Sequence, residues 1–198
     1  VSNSLTGKLR QIQRHDLAID MLACHESAVP EAHLRVTRPL AAFTLPDSGG
    51  QQLRIPALLQ IARIFYEGGY DRVICSTEGP MVAVALYLKY MFNVPCFFFM
   101  HTDWIEYIKC TTQATQHERD RIRRILRLLY NQFDGIFVLN REHRDWLAGF
   151  EMQLPAQHIF LTAHHAPVSD GQTRILRKQE LFADAQDDTP VLFIRSEE

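Results

Sequence analysis

Four polar segments each follow an apolar, strand-like run, and these are the places where the chain could do chemistry. The first, His101-Thr102-Asp103-Trp104-Ile105-Glu106-Tyr107, comes directly after Pro95–Met100 (PCFFFM). A run that apolar is built for burial, so His, Asp, Glu and Tyr clustered at its carboxyl end are costly unless they face a site. His101 can donate a hydrogen bond to a phosphate or a hydroxyl, and Asp103 can orient a sugar hydroxyl. A metal set from His101, Asp103 and Glu106 matches no recognised ligand spacing. The second, Ser76-Thr77-Glu78-Gly79-Pro80, closes the run Arg72–Ser76 (RVICS) and opens a helix. Two hydroxyls, a carboxylate and a glycine at a helix N-terminus suit a phosphate or a sugar hydroxyl, and Ser76 or Thr77 suits equally well as a plain N-cap. In the third, Asn140-Arg141-Glu142-His143, Asn140 reads as an N-cap and Arg141 as a cation available to an anion. The fourth, Thr162-Ala163-His164-His165-Ala166-Pro167, holds adjacent histidines that point to opposite faces of a strand and in that geometry do not chelate one ion.

The elements that must position these segments follow from the apolar pattern. Strands are predicted at Leu17–Cys24, Arg72–Ser76, Pro95–Met100, Gly135–Leu139, His158–Leu161 and Val191–Ile194. Most are continuous apolar runs, as in strands covered on both faces of a parallel sheet. Helices are predicted at Pro56–Tyr66, stopped by Gly68-Gly69, and at Pro80–Phe92, stopped by Asn93-Val94-Pro95. A third is predicted over Gln113–Phe133, where Ile122, Ile125, Leu126, Leu129, Tyr130 and Phe133 form an apolar stripe. Arg119, Arg121, Arg123, Arg124 and Arg127 fill the positions between, and Asp120 stands four residues before Arg124 to pair with it. That basic helix is either a solvated surface or a face for anionic lipid or phosphate. A short helix is predicted at Arg174–Phe182. Strands alternating with helices predict an α/β, doubly wound, mainly parallel sheet whose ligand sits beyond the carboxyl strand ends.

Composition narrows the classes further. Of 198 residues 46% are hydrophobic and 22% charged, and the 21 Lys and Arg against 23 Asp and Glu leave a formal charge of −2. Nothing in that balance attracts nucleic acid, so anion binding must be local. The longest apolar run, Val94–Met100, is far shorter than the roughly 20 residues of a bilayer-crossing helix. Cys24, Cys75, Cys96 and Cys110 never approach C-x-x-C spacing and read as buried thiols. No apolar stretch resembling a signal peptide follows Val1, so a cytoplasmic, reduced protein is the expectation. The phosphate-binding G-x-x-x-x-G-K-[ST], the G-x-S-x-G elbow and G-x-G-x-x-G are all absent, which disfavours kinases, serine hydrolases and dinucleotide dehydrogenases.

In order and content, Asp71–Thr112 (DRVICSTEGPMVAVALYLKYMFNVPCFFFMHTDWIEYIKCTT) and Phe133–Phe150 (FDGIFVLNREHRDWLAGF) resemble the N-terminal half of a family 4 glycosyltransferase of the two-Rossmann-domain GT-B type. The S-T-x-G-P loop, the N-V-P turn and the H-T-D-x-x-x-Y segment are most similar to the subgroup that builds glycolipids, such as mannosyl- and sulfoquinovosyl-transferases. Leu45-Pro46 before a helix also fits. Members begin with a strand and a Gly-Gly-Val loop, whereas this chain opens on Val1-Ser2-Asn3-Ser4, matching the residues just after those glycines. Thr189–Glu198 resembles the opening strand of the second domain, with Arg195 at the place of the family's donor-phosphate arginine. The glycine and lysine of that G-R-x-x-x-E-K motif are missing, as is the E-x₇-E motif. The expectation is therefore a piece of a longer protein: residues 1–188 form the N-terminal domain and residues 189–198 begin a truncated second one.

The resemblance implies retaining transfer of a hexosyl group from a nucleotide-diphosphate sugar to a lipid or glycan hydroxyl, with no metal or other cofactor. It places His101 beside the transferred sugar and leaving phosphate. Ser76, Thr77, Glu78, Gly79 and Asp103 then line the acceptor side, with Tyr107 supporting that wall and Arg195 toward the donor phosphate. The implied partners are a nucleotide sugar, an acceptor and a C-terminal donor-binding domain, with no nucleic acid. By the same analogy the location is cytoplasmic with peripheral contact on the inner face of a membrane, through the arginine-bearing helix. Two other functions compete: a non-catalytic, flavodoxin-like module for a phosphate ligand, and a metal-dependent hydrolase built on His101, Asp103 and other histidines.

Overall fold

The computed structural model describes residues 19–25, 33–44, 52–100, 115–162 and 191–195. Seven parallel strands and four α-helices among them make an α/β, Rossmann-like architecture, the class that the alternation predicts. The chain divides into two compact units, one of Val1–Pro95 with His165–Glu198 and the other of Cys96–His164.

In the first unit β1 (Ile19–Cys24) pairs in parallel with β2 (Leu34–Thr37) on one side and with β9 (Val191–Arg195) on the other, and β9 pairs in turn with β5 (Arg72–Cys75). Helix α1 (Leu58–Gly68) buries Ile61 and Phe65, and α2 (Pro80–Phe92) buries Met81, Val82, Val84, Ala85 and Leu88. Each of these side chains larger than alanine contributes roughly 1.5–3 kcal/mol by leaving water. The predicted stops act as expected. Gly69 closes α1 in the left-handed conformation at φ 64°, where a glycine has no Cβ to clash. Asn93, at φ 51°, does the same for α2. A hairpin of β3 (Pro39–Thr44) and β4 (Gln52–Pro56) stands apart as a two-stranded antiparallel sheet.

Two features of this unit are absent from the sequence reading. One is the set β2, β3 and β4, whose half-exposed residues lack the continuous apolar run used to find the others. The other is the position of β9. Residues 191–195, expected as the opening of another domain, lie between β1 and β5 in this unit's parallel sheet.

At the amino end of the strands Asp20 is buried and fully engaged. Its carboxylate accepts from Tyr70 Oη at 2.5 Å and Arg35 Nε at 3.0 Å, and His33 Nδ1 lies at 3.0 Å. Burial works against the charge, but the bonds from Tyr70, His33 and Arg35 prevail and hold the carboxyl below its ordinary value of 3.8. The Tyr70 hydroxyl is pushed up to about 12, first by burial and then by its bond to Asp20. The ring of Tyr70 also explains Gly68, since a Cβ there would lie 2.1 Å from it.

The second unit holds β6 (Cys96–Phe99), β7 (Gly135–Val138) and β8 (Ile159–Leu161), parallel in that order, with α3 (Gln116–Tyr130) and α4 (Arg141–Ala148). Its core is aromatic. The ring of Phe98 meets Tyr130 at 5.0 Å and Phe133 at 5.1 Å, and Phe137 meets Phe97 and Phe160 at 5.7 Å each. Gly135 makes room for this cluster, because a Cβ there would sit 2.7 Å from Phe160. A capping box of Thr115 and Glu118 starts α3. Two details of the predicted basic helix need correction. Ile125 is exposed instead of joining the buried stripe, which is carried by Leu126, Tyr130 and Phe133. Asp120 pairs with Arg123, one turn away, and not with Arg124; Arg123 also reaches Glu151 at 3.4 Å and so is drawn back toward its own acids.

Candidate functional site

Because β2, β1, β9 and β5 run parallel, their carboxyl ends share one edge of the first unit, where a ligand of an α/β sheet belongs. The loop Ser76–Gly79 stands on that edge, between β5 and α2. Ser76 gives its amide (3.0 Å) and its hydroxyl (3.4 Å) to the carbonyl of Ile194, the last residue but one of β9. Thr77 is buried; its Oγ1 accepts the Gly79 amide at 3.3 Å and its carbonyl accepts the Cys75 thiol at 3.3 Å. These bonds fix the loop from both sides and leave Glu78 and Gly79 as its half-exposed crest.

The alternative role foreseen for Ser76 or Thr77, capping α2, is not what the loop does. Gly79 is the N-cap, no side chain caps the helix, and Pro80 in the first turn brings no amide. Gly79 sits at φ −73°, ψ −162°, a conformation open to any residue, and a Cβ there would meet nothing nearer than Thr77 Oγ1 at 3.6 Å. Neither backbone strain nor packing accounts for glycine at this position. Beneath the crest the Cys75 thiol is pushed up to about 12, chiefly by burial, which removes it as a nucleophile at neutral pH. Cys24, Cys75 and Cys96 are all buried free thiols, as expected, while Cys110 lies outside the described residues.

Arg195 ends β9 at the same edge, in register with Ala23 of β1. The structure thus brings Ser76, Thr77, Glu78, Gly79 and the backbone of Arg195 to one edge of one unit. His101, Asp103 and Tyr107, together with Glu106, His164 and His165, lie outside the described residues. In the second unit Asn140 caps α4 as predicted, its side chain accepting the His143 amide at 2.7 Å, and Arg141 is exposed at the carboxyl end of β7.

Two residues of the first unit's edge escaped the sequence reading: His25, directly after β1, and the exposed Arg38, directly after β2. Applying the same strand-end rule to LAIDMLAC would have flagged His25. Arg38 was hidden because β2 itself was not recognised. Arg38 and Pro39 to Ala42 line an open depression of about 440 Å³ on the hairpin.

A parallel α/β sheet with polar residues gathered at its carboxyl strand ends, ahead of a helix start, defines a Rossmann-like ligand-binding domain. The family follows from the sequence as a whole: the model of Glycosyltransferase Family 4 matches residues 1–161, and the chain belongs to that family. No curated protein and no solved structure matches it. Membership makes this a glycosyltransferase domain, whose general business is to bind a sugar donor and an acceptor. Among the described residues no helix is long and apolar enough to cross a membrane.

Proposed function

We propose that the chain carries the acceptor-side half of a GT-B glycosyltransferase of the glycolipid-building kind, resembling mannosyl- and sulfoquinovosyl-transferases. In this reading a hexosyl group leaves a nucleotide-diphosphate sugar and is joined to a lipid or glycan hydroxyl on the same face of the ring. The anomeric carbon's bond to the diphosphate oxygen breaks as its bond to the acceptor oxygen forms, and the acceptor hydroxyl's proton passes to the leaving diphosphate. No metal or other cofactor takes part, and a donor-binding domain outside residues 1–198 supplies most of the diphosphate clamp. His101 stands beside the transferred sugar and stabilises charge on the leaving phosphate. Glu78 and Asp103 orient the acceptor hydroxyl, Thr77 and Ser76 hold the loop beneath it, Tyr107 backs that wall, and Arg195 adds a cation toward the donor phosphate. On its own the 198-residue chain turns over no nucleotide sugar.

The observation that carries this reading is Gly79. In a chain of this family, an N-cap glycine with ordinary dihedrals and room for a Cβ, on the edge where ligands bind, fits close approach of a substrate to the backbone. Gly79→Ala in the parent protein tests it. Stability should fall by no more than about 1 kcal/mol, the N-cap preference of glycine over alanine. The KM for the acceptor should rise at least about tenfold, the equivalent of one substrate contact of roughly 1.4 kcal/mol. An unchanged KM would show that nothing approaches the loop there.

A further inference from the structure

We infer that the β3–β4 hairpin and the outer side of α1 form a contact between two copies of this chain, with the β3 edges joined antiparallel, a property separate from the proposed transfer reaction. Six large apolar residues that stay exposed fall in these three consecutive elements: Leu40, Phe43, Ile55, Leu58, Leu59 and Tyr66. Leu59 is 82%, Tyr66 76%, Leu40 73% and Phe43 56% exposed. The register places Phe43 and Ile55 on one face of the hairpin, since they stand opposite Leu53 and Ala41. Leu59 and Tyr66 lie two turns apart on α1, on the side turned away from the buried Ile61 and Phe65. At roughly 200 Å² for a fully exposed residue of this size, the six leave on the order of 700 Å² in water, more than the roughly 300–600 Å² of the largest patch on an ordinary monomer and close to the ~800 Å² that each partner gives to a stable complex.

The occupant that fits is the same surface on a second copy. Strand β3 has β4 on one side and, among the described residues, no strand on the other, so its outer edge is open. A ribbon of two strands is marginal in water. Pro39 and the bulge beside it blunt the beginning of this edge, but from Ala41 to Thr44 it carries no charge, proline or bulge. The open depression of about 440 Å³ is lined by the consecutive residues Arg38, Pro39, Leu40, Ala41 and Ala42, a trough along one strand of the kind that an added strand fills. The charges permit the surface to meet itself. Residues Pro39–Thr44 are uncharged, and on α1 Arg63 is neutralised by Glu67 at 2.7 Å. A two-fold antiparallel pair sets the two exposed Arg38 side chains at opposite ends of the joined strands, away from each other.

The test is sedimentation velocity of the 198-residue chain and of the parent protein, each over about 1–100 μM. Both should be dimeric at the top of that range. The pair Leu59→Glu/Tyr66→Glu should weaken association by at least about a hundredfold, about tenfold or more for each apolar anchor lost. Because both substitutions lie outside β3, hydrogen exchange reads the strand edge separately: the amides of Leu40 to Thr44 should exchange more slowly in the wild-type dimer than in the variant. Thermal melts confirm that the variant folds, and Leu59→Ser/Tyr66→Ser replaces it if it does not. A wild type that is monomeric at every concentration, a dimer that the substitutions leave intact, or β3 amides that exchange alike in wild type and variant would each overturn the proposal. So would a dimeric 198-residue chain whose parent stays monomeric, which would assign the face to the rest of the parent. Transfer by the parent reads the proposed activity separately, so either can fail without the other.

Discussion

Ser76 donates both its amide and its hydroxyl to one acceptor 118 positions away, the main-chain carbonyl of Ile194. The Ser76–Gly79 loop is thereby tied to an inner strand of the sheet, and the position of Glu78 and Gly79 depends on β9 being in place. Ser76→Ala keeps the amide bond and loses the weaker hydroxyl bond. Urea unfolding should show a loss of about 0.5–1 kcal/mol, and an unchanged midpoint would remove the hydroxyl from the latch.

The Asp20 cluster predicts how stability varies with pH. The carboxyl titrates below its ordinary 3.8 in the folded chain, so its contribution is present above that value and is lost as pH falls through the folded one. Tyr70, raised to about 12, contributes fully below pH 10 and loses that contribution as pH rises from 10 toward 12. Tyr70→Phe should cost about 1–3 kcal/mol at neutral pH, because a buried carboxylate loses a donor, and should flatten the alkaline limb. Urea melts from pH 3 to 11 check both limbs, and a Tyr70→Phe variant with the wild-type alkaline slope would contradict the assignment.

Gly135→Ala is the counterpart of the Gly79 substitution. The added methyl would lie 2.7 Å from Phe160 and 3.1 Å from Phe97, within a packed aromatic cluster. A loss of about 1–3 kcal/mol is expected, read as a drop in melting temperature. The same chemical change should thus be read in stability at one glycine and in substrate affinity at the other.

Asn140→Ala should cost about 1 kcal/mol by removing the bond to the His143 amide, and Asn140→Ser should restore most of it. If Arg141→Ala lowers stability as much as the cap substitution does, Arg141 serves the fold and is not an anion contact.

The apolar strands and the helices bounded by Pro80, Gly69 and Asn93 were legible because each leaves a local mark: a continuous apolar run or a residue with a special backbone role. Strands β2 to β4 leave no such mark, since LRVT, PLAAFT and QLRIP are short and largely half-exposed or exposed. The place of β9 was illegible for another reason. Its partners β1 and β5 lie far off in sequence, and VLFIR suits the interior of any parallel sheet. In the site, residue types at strand ends pointed to Ser76, Thr77, Glu78 and Gly79. Only tertiary geometry showed that Ser76 and Thr77 serve the loop while Gly79 stands open.

The central claim, that this is the acceptor-side domain of a retaining hexosyltransferase, is tested most directly by assaying the parent protein with a panel of nucleotide-diphosphate hexoses and lipid or glycan acceptors, reading the anomeric configuration of the product by NMR. Transfer with the donor's configuration kept, reduced by at least about a hundredfold in His101→Ala, is the predicted result. A product of inverted configuration, no transfer from any donor, or a His101→Ala variant as active as the wild type would contradict it.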